Sequence, residues 1–148
     1  SHEHQNFRRI INNLEIELKN SNIDTITFRT DSGLQAVSFL SAYDENGAFV
    51  TNADCEPVWQ KYVVHYSPAN SSKLYKKDVY GSFTNAMTLT ELNNACNGGN
   101  VVIDDMNNFK INLDSAKNMA HMSLTLTRKN DNGKIDEITQ NFDIKMRN

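Results

Sequence analysis

Between Phe7 and Lys19 the chain carries its longest helical period, and most of the remaining chain alternates like strands. Phe7, Ile11, Leu14 and Leu18 recur at spacings of four, three and four. They make one apolar stripe, which Ile10 widens. Ile16 lies off the stripe and is either a second contact or an exposed apolar residue. A helix this short is marginal alone in water, so its stripe must pack on something. The partner this sequence offers is a sheet. The expected fold is therefore α+β: an N-terminal helix on a mostly antiparallel sheet, with a short second helix.

The strand candidates are Ile23 to Arg29, Gln35 to Tyr43, Val58 to Tyr66, Leu74 to Tyr80, Val101 to Asp105, Phe109 to Leu113, Met119 to Thr127 and Ile135 to Met146. Trp59, Tyr62, Val63, Val64 and Tyr66 leave little room for a water-facing side, which predicts a central strand. Turns are expected at Asp31-Ser32-Gly33, Asp44-Glu45-Asn46-Gly47, Ser67 to Ser72 and Asn130-Asp131-Asn132-Gly133. Thr88 and Glu91 fit a capping box that opens the second helix, and Gly98-Gly99 supplies its stop.

At 148 residues, with no internal repeat or linker, positions 1–148 read as one domain. Ser1-His2 lacks an initiator Met and resembles a remnant of tag removal, so residues 1–4 are expected to be disordered or tag-derived. Net charge is -3 with the signs mixed, and no basic stripe marks a nucleic-acid partner. No run approaches the roughly 20 apolar residues that cross a bilayer.

Chemistry-bearing motifs are few. The sequence has no GxSxG, no Walker loop, no GxGxxG and no HExxH, so no enzyme and no cofactor is expected. The stretch from Asn130 faintly echoes a calcium loop. That alignment puts Arg128 and Thr139 at the first and last ligand positions, where carboxylates are needed. Asp104-Asp105 would share a cation only at a bend, because neighbours on a strand point to opposite faces. Calcium stays a minor option on that basis. Cys55 and Cys96 allow one disulfide, worth roughly 3–4 kcal/mol in the chain-entropy account if the protein is exported; otherwise they are two small thiols. Trp59, Tyr62 and Tyr66 read either as a platform for sugar or peptide or as a core strand.

Three segments together resemble type IV pilin-like proteins, and among them the minor pseudopilins of type II secretion. The first is the helix Phe7-Arg8-Arg9-Ile10-Ile11-Asn12-Asn13-Leu14-Glu15-Ile16-Glu17-Leu18. The second is Val37 to Gly47, followed by Trp59 to Tyr66 and Leu74-Tyr75-Lys76. The third is the ending Lys145-Met146-Arg147-Asn148. Lys76 stands where the family pattern suggests arginine, and the family's processing site would lie ahead of Ser1. The resemblance implies a non-catalytic filament subunit. It would be extracytoplasmic, in periplasm or at the cell surface, and held in the inner membrane before assembly by a membrane half-helix upstream. Its partners would be other pilin-like subunits. Phe7, Ile11, Leu14 and Leu18 would grip the sheet, while Arg8, Arg9, Glu15 and Glu17 would meet neighbouring subunits. The alternative is an extracytoplasmic carbohydrate- or peptide-binding module built on the Trp59 and Tyr62 region.

Overall fold

The computed structural model describes residues 2–31 and 33–147, with side chains from Phe7 onward. Ser1, Ser32 and Asn148, and the side chains of His2 and His4, lie outside the described residues. These positions belong to the expected tag remnant, the Asp31-Ser32-Gly33 turn and the chain ending. Helix α1 runs His2–Lys19. A single 3-10 turn, Ile23–Thr25, leads into the strands β1 (Thr27–Asp31), β2 (Leu34–Ser41), β3 (Lys61–Pro68) and β4 (Leu74–Tyr80). Helix α2 (Leu89–Ala95) precedes β5 (Asn100–Ile103), β6 (Met106–Asp114), β7 (Met119–Lys129) and β8 (Ile135–Lys145).

The α+β expectation is corrected here. Among the described residues the chain is mainly β, with eight strands in two antiparallel meanders rather than one sheet under a dominant helix. The first sheet has the order β1-β2-β3-β4-β5 and the second β6-β7-β8. The break falls at Asp104-Asp105, where Asp105 takes a left-handed φ of 49° and swings the chain out of the first sheet. Alternation cannot announce this break, because strands of one sheet or two carry the same period.

Both faces of the five-stranded sheet are covered. One face packs Val37, Phe39, Val63 and Leu74 against the α1 stripe and the inner residues of the second sheet, including Phe109, Met122, Leu124 and Ile144. The other face packs Ala36, Leu40, Tyr62, Val64 and Tyr66 against Leu92 of α2 and Met87. Strand β3 therefore sits centrally, buried on both sides. Its expected start at Val58 moves to Lys61, and the expected strand from Ile23 starts at Thr27. The second shift has a local cause. Thr25 Oγ1 donates to Asn22 O at 2.8 Å and accepts from Leu40 N at 3.2 Å. Ser21 Oγ sits 3.0 Å from the same hydroxyl, so side chains hold this stretch as a turn.

Between β2 and β3 residues 42–60 form an arm of two linked hairpins, bridged at Tyr43–Phe49 and Thr51–Pro57. Its base rests on the end of α1, where Asn20 Nδ2 donates to Tyr43 Oη at 3.1 Å, and under Arg147, 5.2 Å from the Phe49 ring. The two arm turns and the β7–β8 turn share one construction. Asp44, Asn52 and Asn130 each accept two backbone amides on Oδ1, from two and four residues ahead, at 2.9–3.0 Å. The fourth residue of each turn has a left-handed backbone: Gly47 at 78°, Cys55 at 62° and Gly133 at 77°. The Asn52 turn escapes sequence reasoning because cysteine holds the glycine position.

Candidate functional site

Helix α1 presents two unlike sides. Phe7, Ile11, Leu14 and Leu18 are buried in the core, the last two almost completely. At 100° per residue Ile16 falls opposite that stripe, and it is 50% exposed. Asn12, Asn13 and Lys19, three or four positions away on the helix, rim it with exposed polar groups. Arg8 and Arg9 are also exposed, and Glu15 is half-buried. An apolar centre inside a polar rim is the usual anatomy of a protein contact.

Glu17, expected among the subunit contacts, turns inward instead. Its carboxylate lies 2.8 Å from Lys76 Nζ and 3.8 Å from Lys61 Nζ, and Lys61 reaches Asp78 at 3.1 Å. Strand β3 places Lys61 there because Lys61, Val63 and His65 share the face under α1. Burial alone would lower the Lys61 pKa, but the Asp78 carboxylate, then Glu17, outweigh it and hold the pKa above its ordinary value. His65 beside this cluster is fully buried, and among the described residues its Nδ1 has no partner. Burial, aided by Lys76, pushes its pKa down to about 3, so it is neutral at physiological pH. A sequence signal for this cluster exists: Lys61 and His65 are polar residues at alternate positions of an otherwise apolar strand.

The aromatic platform does not assemble. Tyr62 is buried with its hydroxyl donating to Asn85 O, and Tyr66 is buried, stacked on Tyr75 and bonded to Gly99 N at 2.9 Å. Trp59 is half-buried against the α2-side core rather than lying under α1.

A groove of about 420 Å³ opens where β1 meets the second sheet, lined in part by Phe28, Thr30, Lys110, His121, Ser123 and Asp143. His121 Nδ1 lies 2.5 Å from Asp143 Oδ1, with both side chains substantially in solvent. Among the described residues no hydrogen bond joins Ser123 to His121, so the nucleophile–base contact of acyl transfer is not made. No signal in the sequence brings His121 and Asp143 together; only the β7–β8 register does.

Among the described residues no group of three His, Cys, Asp or Glu side chains is placed to hold a metal. Asn130 to Lys134 is an amide-closed turn, not a calcium loop. Asp105 supplies the bend that a shared cation needs, but no third ligand joins Asp104 and Asp105 among the described residues. Cys55 and Cys96 are both free thiols, Cys55 at an exposed arm turn and Cys96 at the end of α2. Burial pushes the Cys96 thiol up to about 11.

No helix among the described residues is long and apolar enough to cross a membrane. Comparison with family models, with curated proteins and with solved structures finds no match to this chain.

Proposed function

We propose that the protein is a non-catalytic structural subunit of a pilin-like filament, of the kind built by type II secretion or type IV pilus systems. The observation that carries the reading is the divided surface of α1. Its stripe is spent on the core, while Ile16 inside its polar rim is left for a neighbour. In this reading α1 packs beside the equivalent helix of another pilin-like subunit. Arg8, Arg9 and the half-buried Glu15 set register more than affinity. Glu17 acts within the subunit, because its lysine partners come from its own sheet. An extracytoplasmic place of assembly and an inner-membrane anchor ahead of α1 belong to the same reading. So does the need for no cofactor.

The test is crosslinking in cells that make the full-length protein, with Ile16→Cys in a Cys55→Ser background. Adducts with pilin-like proteins are expected at Ile16 and not at Asp54, on the arm. Crosslinks to no pilin-like protein would end the proposal. The alternative, a carbohydrate- or peptide-binding module, gets no support from Trp59 and Tyr62. It would have to use the groove around Phe28, where one aromatic ring meets His121, Asp143 and Lys110.

A further inference from the structure

The edges of the two sheets are treated differently. At one end of the first sheet β5 has only four residues, and at the other β1 is flanked by α2-side contacts, Thr27 Oγ1 to Met87 O and Arg29 to Asn93. The outer edge of β6 is stitched to the first sheet, since Phe109 N donates to Gln35 Oε1 at 2.9 Å. Strand β8 is different: eleven residues, paired on one side only, with most side chains exposed.

The orientation of its backbone follows from two bonds at its ends. Asn130 N donates to Lys134 O, and Met146 N donates to Asn118 O. Residues 134 and 146 therefore face β7, and by alternation so do the even positions between them. The odd positions Ile135, Glu137, Thr139, Asn141, Asp143 and Lys145 turn their amides and carbonyls outward. Among the described residues no backbone bond satisfies them on that side. Among the described residues the edge closes at Arg147, which bridges Asn22. A long open edge of this kind is a template for another strand.

We propose that β8 pairs antiparallel with β8 of a second copy of this chain, about a two-fold axis through Asn141. The side chains select both the partner and the register. Only odd positions present backbone groups to the edge, so odd must meet odd. Centred on Asn141, Glu137 faces Lys145 of the second copy twice over, by symmetry. Thr139 faces Asp143, and Ile138 faces Ile144 on the inner side, where it extends the apolar layer. Shifting the centre to Gln140 sets Glu137 against Asp143, which is repulsive. Shifting it to Phe142 sends Glu137 toward Arg147, whose backbone is already committed to Asn22. Edge strands are usually protected by inward-pointing charge, and β8 has none between Ile138 and Ile144. This edge is separate from the filament contact, which uses the outward surface of α1.

The experiment is sedimentation equilibrium across a wide range of protein concentration. The chain is expected to form a dimer. Asn141→Pro removes one outward amide and should leave a folded monomer, since proline is tolerated where an edge N–H faces solvent. Lys145→Glu should weaken the dimer roughly tenfold or more by opposing two carboxylates twice, and Glu137→Lys added to it should restore association. Circular dichroism checks that each variant folds. If Asn141→Pro fails to fold, the charge exchange still decides. A monomer at every concentration overturns the proposal. So does a dimer lost with Ile16→Asp but kept with Asn141→Pro, or a double variant no tighter than Lys145→Glu.

Discussion

The two faces of the central sheet are covered by helices held in contrasting ways. Under α2 the contact is made of rings, a stacked Tyr66–Tyr75 pair, a buried Leu92 and a capping box on Thr88 and Glu91. Under α1 the apolar stripe is joined by Glu17, Lys61, Lys76, Asp78 and the neutral His65. Apolar contacts tolerate small slips along a helix axis, whereas paired charges do not. The difference teaches that α1 is fixed in register on its sheet as well as buried on it. On the proposed filament reading, where neighbours grip α1, this arrangement keeps the helix from being pulled out of place.

The sharpest way to break the α1 side is acid. His65 has a folded pKa of about 3, depressed below its ordinary 6.5. The unfolded chain therefore binds the extra proton first as pH falls. Stability from this group is fully present above pH 6.5 and is lost progressively toward pH 3. The loss should reach about 3–5 kcal/mol at the acid end. Urea denaturation of the wild type and His65→Gln between pH 4 and pH 7.5 measures it. The variant should show the shallower pH dependence, and equal slopes would mean that His65 is hydrated in solution.

Next in size is the ion cluster. Glu17→Ala leaves Lys61 and Lys76 facing each other under α1, with Asp78 as the remaining counter-charge. Removing one partner of a mostly buried pair should cost about 3 kcal/mol. Replacing Glu17 and Lys76 together by Met should recover much of that loss, because two hydrophobes can fill the space without an orphaned charge. On the α2 side the corresponding cut is smaller. Thr88→Ala removes the hydroxyl that accepts from Glu91 N at 3.1 Å and should cost about 1 kcal/mol. If the Thr88 loss equals or exceeds that of Glu17, the proposed contrast between the faces fails.

Much of this was legible in the chain. The period of the stripe placed Phe7, Ile11, Leu14 and Leu18 on one side of a helix, and the capping pair located α2. The crowding of Trp59, Tyr62, Val63, Val64 and Tyr66 pointed to the central strand. Three things were not legible, for physical reasons. A two-residue period cannot count sheets, so the break at Asp105 is invisible in the sequence and the α+β expectation misses the mainly β class. Long-range pairs such as Glu17–Lys76 or His121–Asp143 depend on strand register, which local sequence does not state. The Asn52 turn lacks a glycine signal, which leaves the second half of the arm unseen in the sequence.

That turn carries the smallest prediction and a direct comparison with its two siblings. Gly47 and Gly133 hold left-handed positions with open space around them, and Cys55 holds the same position with a side chain. A non-glycine residue there costs about 1–2 kcal/mol. Glycine gives back part of the difference through the greater freedom of its unfolded chain. Cys55→Gly should therefore stabilise the protein by about 0.5–1 kcal/mol, raising Tm by a few degrees, while Gly47→Ala and Gly133→Ala should lower it by a similar amount. Reducing and oxidising buffers separate the backbone effect from any thiol pairing. A gain in both means that Cys55 carries only strain. A gain under reduction that becomes a loss under oxidation means that Cys55 and Cys96 bond when the arm moves, and that the free-thiol arrangement describes only the reduced protein.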